Sequence, residues 1–267
     1  MIAQHIETDD TLREFVAQPL SESVDLINTS SFKYTLMGTF SLSGRIDFIS
    51  ESILLLLENN HIYAAKILFR SLVEHFLKSQ YIFLRWAIDK TDLVGEEYIK
   101  LCNYNEEIDF AVAYKKRGIL LGAQVSESPI EMIRKIHPQY SNITEKQLKQ
   151  KISQFSYKKI IEFITSNIYK TGLDSSESFI PNLLIHYSDL SSFVHGGPMA
   201  ERFMTEMFNK EGYESSSEEL AELTVSISAF SKFFTLIMVS NIDKKFVEPM
   251  IKFRQLLHKY QLPGGAP

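Results

Sequence analysis

The chain is 267 residues long, 45% hydrophobic and 23% charged, with a formal net charge of −5; this is an ordinary globular composition with enough length for one large core. The acidic balance excludes a protein that binds nucleic acid through its overall charge. One cysteine, Cys102, excludes an intramolecular disulfide framework and suits a reducing cytoplasm.

From the N-terminus, Met1 to His5 leads into acidic residues without the basic and apolar regions of a signal peptide, so a cytoplasmic location is expected. Asp9 to Asn28 reads as a helix interrupted near Pro19. Phe40 to Glu58 is strongly apolar, Asn59-Asn60 punctuates, and a long helix then runs from His61 to about Ile88. The very short turn makes these two antiparallel neighbours. Leu93 to Lys116 is a further helix, stopped by Gly118, and shorter ones follow over Pro129–Ile136, Thr144–Ile152 and Tyr157–Ile168, the last closed by Gly172. Phe179 to Val194 leads into His195-Gly196-Gly197-Pro198, where glycine ends a helix and proline forbids its continuation. Met199–Asn209, a long helix over Ser217 to about Lys245 and a last one from Pro249 complete the set. The apolar run Leu223–Ile242 carries Lys232 at its middle, which predicts a buried core helix and not a membrane span.

No segment alternates with period two, so the fold class is all-α. One domain spans 1–263, with its core over about 40–88 and 179–245, and 264–267 is a flexible tail. Between Tyr114 and Lys159 ten basic residues face three acidic ones. This basic helical insertion, about 114–159 and including Lys115, Lys116 and Arg117, is suited to steering a phosphate backbone or is simply a solvated face.

Two polar signatures interrupt the apolar pattern. Phe69-Arg70-Ser71-Leu72-Val73-Glu74-His75 sets ionisable groups inside an apolar helix, where charges need partners. Residues four apart lie roughly 40° apart around a helix and residues five apart roughly 140°, so Arg70 and Glu74 share a face while His75 points elsewhere. The second signature places Tyr187, Ser191 and His195 four apart on one helical stripe: a phenol, a hydroxyl and an imidazole that titrates near neutrality. The two signatures are expected to meet in space. Arg70–Glu74 would otherwise be an intrahelical ion pair, and His195 a helix-end residue favoured by the dipole.

The pattern Leu68-Phe69-Arg70-Ser71-Leu72-Val73-Glu74, followed by Tyr187, Ser191, Val194, His195 and Gly196, resembles an uncharacterised family of bacterial all-helical proteins with an R-S-L-x-E helix and a downstream S-x-x-V-H-G segment. That family is in turn similar to the HEPN group, whose members include metal-independent ribonucleases of toxin–antitoxin and antiphage systems. The resemblance implies a HEPN-like bundle with a four-helix core. It also implies RNA as a partner, a homodimer, a defence-system partner protein and no cofactor. The HEPN pattern Arg-x4–6-His has one match, Arg70 to His75. By this likeness Arg70, Glu74, His75 and His195 are the candidate catalytic residues, and Tyr187, Ser191, Lys115, Lys116 and Arg117 the candidate substrate contacts. A non-catalytic interaction module and a small-molecule pocket lined by Tyr187, Ser191, Arg70 and His195 remain alternatives.

Other chemistries lack their residues. There is no His-Glu-x-x-His, and Glu58–His61 is a lone Glu-x-x-His where a di-iron bundle needs two, so no metal site is expected. Walker, dinucleotide and Gly-x-Ser-x-Gly motifs are absent, and Cys102 reads as a small core residue.

Overall fold

The computed structural model describes residues 2–122, 127–136, 138, 141–167, 179–206 and 210–262, and no strand occurs among them. The helices are α1 (Ile2–Ser23), α2 (Leu26–Thr29), α3 (Lys33–Glu58), α4 (Ile62–Asp89), α5 (Leu93–Leu120) and α6 (Pro129–Ile136), then α7 (Glu145–Ser153), α8 (Tyr157–Asn167), α9 (Phe179–His195), α10 (Pro198–Glu206), α11 (Lys210–Ile242) and α12 (Val247–Lys259).

The α3–α4 hairpin organises the rest. Asn60 takes a left-handed φ of +60°, and the His61 amide reaches back to the Leu56 carbonyl at 2.7 Å, closing α3 in one turn. The facing stripes bury Leu42, Ile46, Ile53 and Leu57 of α3 and Phe69, Leu72, Val73 and Phe76 of α4. Helix α11 packs on both, with Phe230 edge-on to Phe76 at 6.3 Å and Phe234 against Phe83 at 4.6 Å. Helices α1 and α12 cover the outer side of α11, α5 lies along α3, and α8 and α9 lie on α4.

Lys232 explains how α1 is seated. It is fully buried; its ammonium pairs with Asp47 of α3 and Ser228 of its own helix and lies 3.8 Å from Asp9 of α1. Asp9 is equally buried, accepts from Ser228 at 2.6 Å and is held by Arg13 at 2.7 Å. A charge inside an apolar helix is stable here because every neighbour of opposite sign is within reach. The stretch Glu214–Ile242 is long and apolar enough to cross a membrane, yet 89% of its most apolar window is buried inside the protein.

Two non-local features fix α5. The Asp92 carboxylate accepts from the amides of Tyr34 and Thr35 at 2.9 and 2.7 Å, capping α3 from the residue that precedes α5. Gly95 lets the backbones touch: a Cβ there would stand 2.1 Å from the Thr35 nitrogen. Beyond that contact α5 carries a small satellite lobe with α6 and α7, centred on Leu101, Ala111 and Leu148.

Several boundaries differ from the sequence reading. Helix α1 starts at Ile2 and runs through Pro19 to Ser23, because buried Leu12 and Val16 anchor a turn that lacks a single backbone donor. Gly118 does not stop α5; the left-handed residue is Gly122, with φ +79°. A glycine inside a helix costs only about 1 kcal/mol, so the later glycine wins. Helix α11 begins at Lys210 and ends at Ile242, where Asp243 accepts from the Lys245 amide and opens a short 3-10 turn. The expected ends at Ile168, Gly172 and Asn209, the Cys102 side chain, and the 264–267 tail lie outside the described residues.

Candidate functional site

Helix α4 supplies the floor of the site through its outward stripe Tyr63, Lys66, Arg70 and Glu74, spaced by three and four residues so that the side chains stack on one face. Helix α9 runs across this stripe. Phe193 anchors it, accepting at its carbonyl from the Tyr63 hydroxyl at 3.2 Å and packing its ring 5.6 Å from that of Tyr63. That anchoring brings Tyr187 and His195, two turns apart on α9, over Arg70.

The contacts form one chain. Arg70 Nη2 donates to the Tyr187 hydroxyl at 3.3 Å, and that hydroxyl donates to Glu74 Oε1 at 2.7 Å. Arg70 Nε lies 3.5 Å from the same carboxylate oxygen without hydrogen-bonding geometry, and the guanidinium carbon stands 5.1 Å from the Tyr187 ring centroid. Arg70 Nη1 lies 3.5 Å from His195 Nε2, within donating reach of an unprotonated imidazole nitrogen. The Arg70 side chain is 19% exposed and that of Glu74 37%, while His195 is exposed. A braced cation therefore presents one edge to a solvent-facing imidazole.

Tyr157, in the first turn of α8, completes the brace by stacking on Tyr187 at 3.8 Å with ring planes 20° apart. Burial pushes the Tyr157 phenol up to about 12, helped by the nearby Tyr187 and Glu74 and opposed by Arg70. Burial also raises Tyr187, as does its bond to Glu74, while Arg70 opposes. Arg70 is raised chiefly by its hydrogen bond to Tyr187. Both phenols are thus neutral hydrogen-bonding groups near pH 7, and Arg70 holds its charge.

The end of α9 shapes the rim. Gly196 is left-handed at φ +64°, and the Gly197 amide returns to the Ser192 carbonyl at 2.8 Å, so the glycine-proline stop is the one read from sequence. Just beyond, Tyr63, Gly196, Ala200, Glu201 and Met204 line a cleft of about 500 Å3.

Arg70, Glu74, Tyr187 and His195 therefore meet, as the paired signatures predict. Ser191 stands half-buried on α9 between Tyr187 and His195. His75 does not join them. Its Nδ1 bonds the Ser71 carbonyl of its own helix at 2.7 Å, and burial lowers its pKa, with Lys78 and Arg45 nearby adding to the effect. Lys115, Lys116 and Arg117 lie on the last turns of α5 in the satellite lobe, where Lys115 donates to the Glu127 carbonyl. Much of the basic surplus is partnered: Lys135 with Glu127, Lys149 with Glu145, Lys151 with Glu97 and Lys159 with Glu162. Among the described residues no group of three His, Cys, Asp or Glu side chains is placed to hold a metal ion.

The sequence reading missed Tyr157 and Tyr63. Tyr63 was detectable as the start of the α4 stripe, seven residues before Arg70. Tyr157 was not, because no spacing links it to Tyr187 thirty residues later.

Fold and site together define an all-α protein with a braced arginine–histidine pair at the meeting of three helices. The chain belongs to a family of unknown function (DUF5677), which matches it over residues 38–213. That span holds every residue of the cluster and leaves out α1, α12 and most of α11. No curated protein and no solved structure matches the chain.

Proposed function

We propose that the protein is a HEPN-like, metal-independent endoribonuclease of a bacterial toxin–antitoxin or antiphage system, with Arg70 and His195 as its working pair. The observation that carries this reading is the 3.5 Å approach of Arg70 Nη1 to His195 Nε2 at an accessible rim. Imidazole moves protons near pH 7, and a guanidinium fixed in advance stabilises charge that develops on a phosphate. In the proposed reaction a ribose 2′-hydroxyl takes the place of the long Arg70 contact at His195 Nε2, that nitrogen accepts the hydroxyl proton, and the 2′-oxygen bonds to the adjacent phosphorus. The P–O5′ bond breaks, the 5′-oxygen takes a proton from solvent, and a 2′,3′-cyclic phosphate remains. Arg70 neutralises the non-bridging oxygens, and Glu74 and Tyr187 hold Arg70 in place.

The test is cleavage of single-stranded RNA in EDTA by the purified chain. Arg70→Ala and His195→Ala should each lower the rate by at least about a hundredfold, the range for losing one acid–base or charge-stabilising group. Arg70→Lys, which keeps the charge and loses the fork, should fall between. Undiminished cleavage in both alanine variants, with circular dichroism unchanged, would overturn the assignment.

A second reading, a non-catalytic interaction module of a defence complex, is favoured by the satellite lobe. There Phe110, Leu120 and Leu121 are 73%, 86% and 72% exposed, and exposed apolar side chains are what a partner surface would cover. Full retention of partner binding in the Arg70 and His195 variants, without RNA cleavage by the native chain, would favour it.

A further inference from the structure

The cleft next to His195 belongs to neither the braced cluster nor the phosphate chemistry proposed for it. It starts at Gly196, the residue after the imidazole, and its walls are Tyr63, Ala200, Met204 and Glu201. Its volume of about 500 Å3 lies within the usual range for small-molecule sites. Besides the Tyr63 hydroxyl, which is taken up by the Phe193 carbonyl, the polar side chain of the lining is the Glu201 carboxylate, and no side-chain hydrogen bond or ion pair of Glu201 occurs among the described residues. Gly196 adds no side chain to the lining, and nothing lies within 4 Å of where its Cβ would be. Tyr63 is fixed by its bond to the Phe193 carbonyl, so it offers an immobile aromatic wall.

A carboxylate repels phosphate, so this cleft is not an extension of the anion site. An ionised carboxylate can only accept, and it accepts best from two parallel donors. Among the four RNA bases, guanine alone carries adjacent donors on its Watson–Crick edge, N1–H and the 2-amino group. Adenine and cytosine set a ring-nitrogen acceptor beside their amino group, and uracil flanks its N3–H with two carbonyl oxygens. Recognition of unpaired RNA bases by aromatic contact plus hydrogen bonding at this edge is the common mode for single strands.

We propose that the cleft is a guanine subsite, in which Glu201 accepts from N1–H and the 2-amino group, Tyr63 and Met204 cover the base, and the attached phosphate reaches Arg70 and His195. The inference rests on the ribonuclease reading and adds a substrate preference: scission next to guanine.

Calorimetric titration with the 3′-monophosphates of guanosine, adenosine, cytidine and uridine tests the subsite without requiring cleavage. The guanosine nucleotide should bind about tenfold more tightly than the other three, as a bidentate base contact allows, and Glu201→Gln should reduce it to their level. No binding, equal binding of all four, or a guanine preference that survives Glu201→Gln would overturn the proposal. Sequencing of RNA ends from the EDTA reaction supplies the second arm: ends should cluster at guanine in the native chain and spread in Glu201→Gln. Guanine-selective binding without cleavage would leave the subsite standing and remove the ribonuclease reading; cleavage indifferent to base would do the reverse.

Discussion

Replacing Lys232 by methionine removes a charge from the middle of the core while keeping an unbranched side chain one atom shorter. Lys232 is 0% exposed, and its partners differ: Asp9 is also 0% exposed, whereas the Asp47 side chain is 25% exposed. With the ammonium gone, Asp47 can regain water, but Asp9 must rely on Arg13 and Ser228. Breaking a buried pair by removing one partner costs about 3–5 kcal/mol, and the surviving Arg13 contact puts this case toward the lower end. For a chain of this size each kcal/mol moves the midpoint by about 2–4 °C, so a loss of about 3 kcal/mol lowers Tm by roughly 6–12 °C. Urea titration and calorimetry on Lys232→Met and Asp47→Asn, singly and combined, measure it. The double variant should be less damaged than the sum of the singles by at least about 1 kcal/mol, as residues of one network couple. A Lys232→Met variant within 1 kcal/mol of native, or additive behaviour in the pair, would refute the claim that α1, α3 and α11 are held by this charge cluster.

Tyr187→Phe keeps the stack on Tyr157 but deletes the hydroxyl shared by Arg70 and Glu74; because Glu74 can rehydrate, a loss of about 1–2 kcal/mol is expected in urea titration, with RNA cleavage slowed through a loosened Arg70. No loss of stability would show that the bridge contributes nothing. Gly95→Ala drives a Cβ into the Thr35 backbone and should cost about 3 kcal/mol or more; a change under 1 kcal/mol in the same assay would count against the α3–α5 contact. His75 has a folded pKa below its ordinary value, so the unfolded chain binds the proton first and stability drops as pH falls below about 6.5 toward the folded pKa. Urea midpoints at pH 7, 6 and 5 should fall less steeply in His75→Asn, and an unchanged slope would contradict the burial of this imidazole.

Much of the site was legible because a helix turns local spacing into direction. Arg70 and Glu74, four apart, share a face; His75, five from Arg70, diverges from it as that angle requires and bonds the Ser71 carbonyl of its own helix. Tyr187 and His195 share a stripe for the same reason. Boundaries set by punctuation were less secure: Gly196 ends its helix as read, whereas buried Leu12 and Val16 carry α1 through Pro19, and α5 continues through Gly118 because one glycine costs a helix only about 1 kcal/mol.

Helical spacing by itself therefore determined that this chain is all-α, that α3 and α4 form a hairpin, and which polar residues share a face. Which faces meet was a tertiary decision. The stack of Tyr157 on Tyr187, the cap that Asp92 lends to α3, and the pairing of Lys232 with Asp9 and Asp47 join residues far apart in the chain. Periodicity describes one helix at a time, while these contacts depend on how several helices cross, which the burial of their combined apolar surface decides.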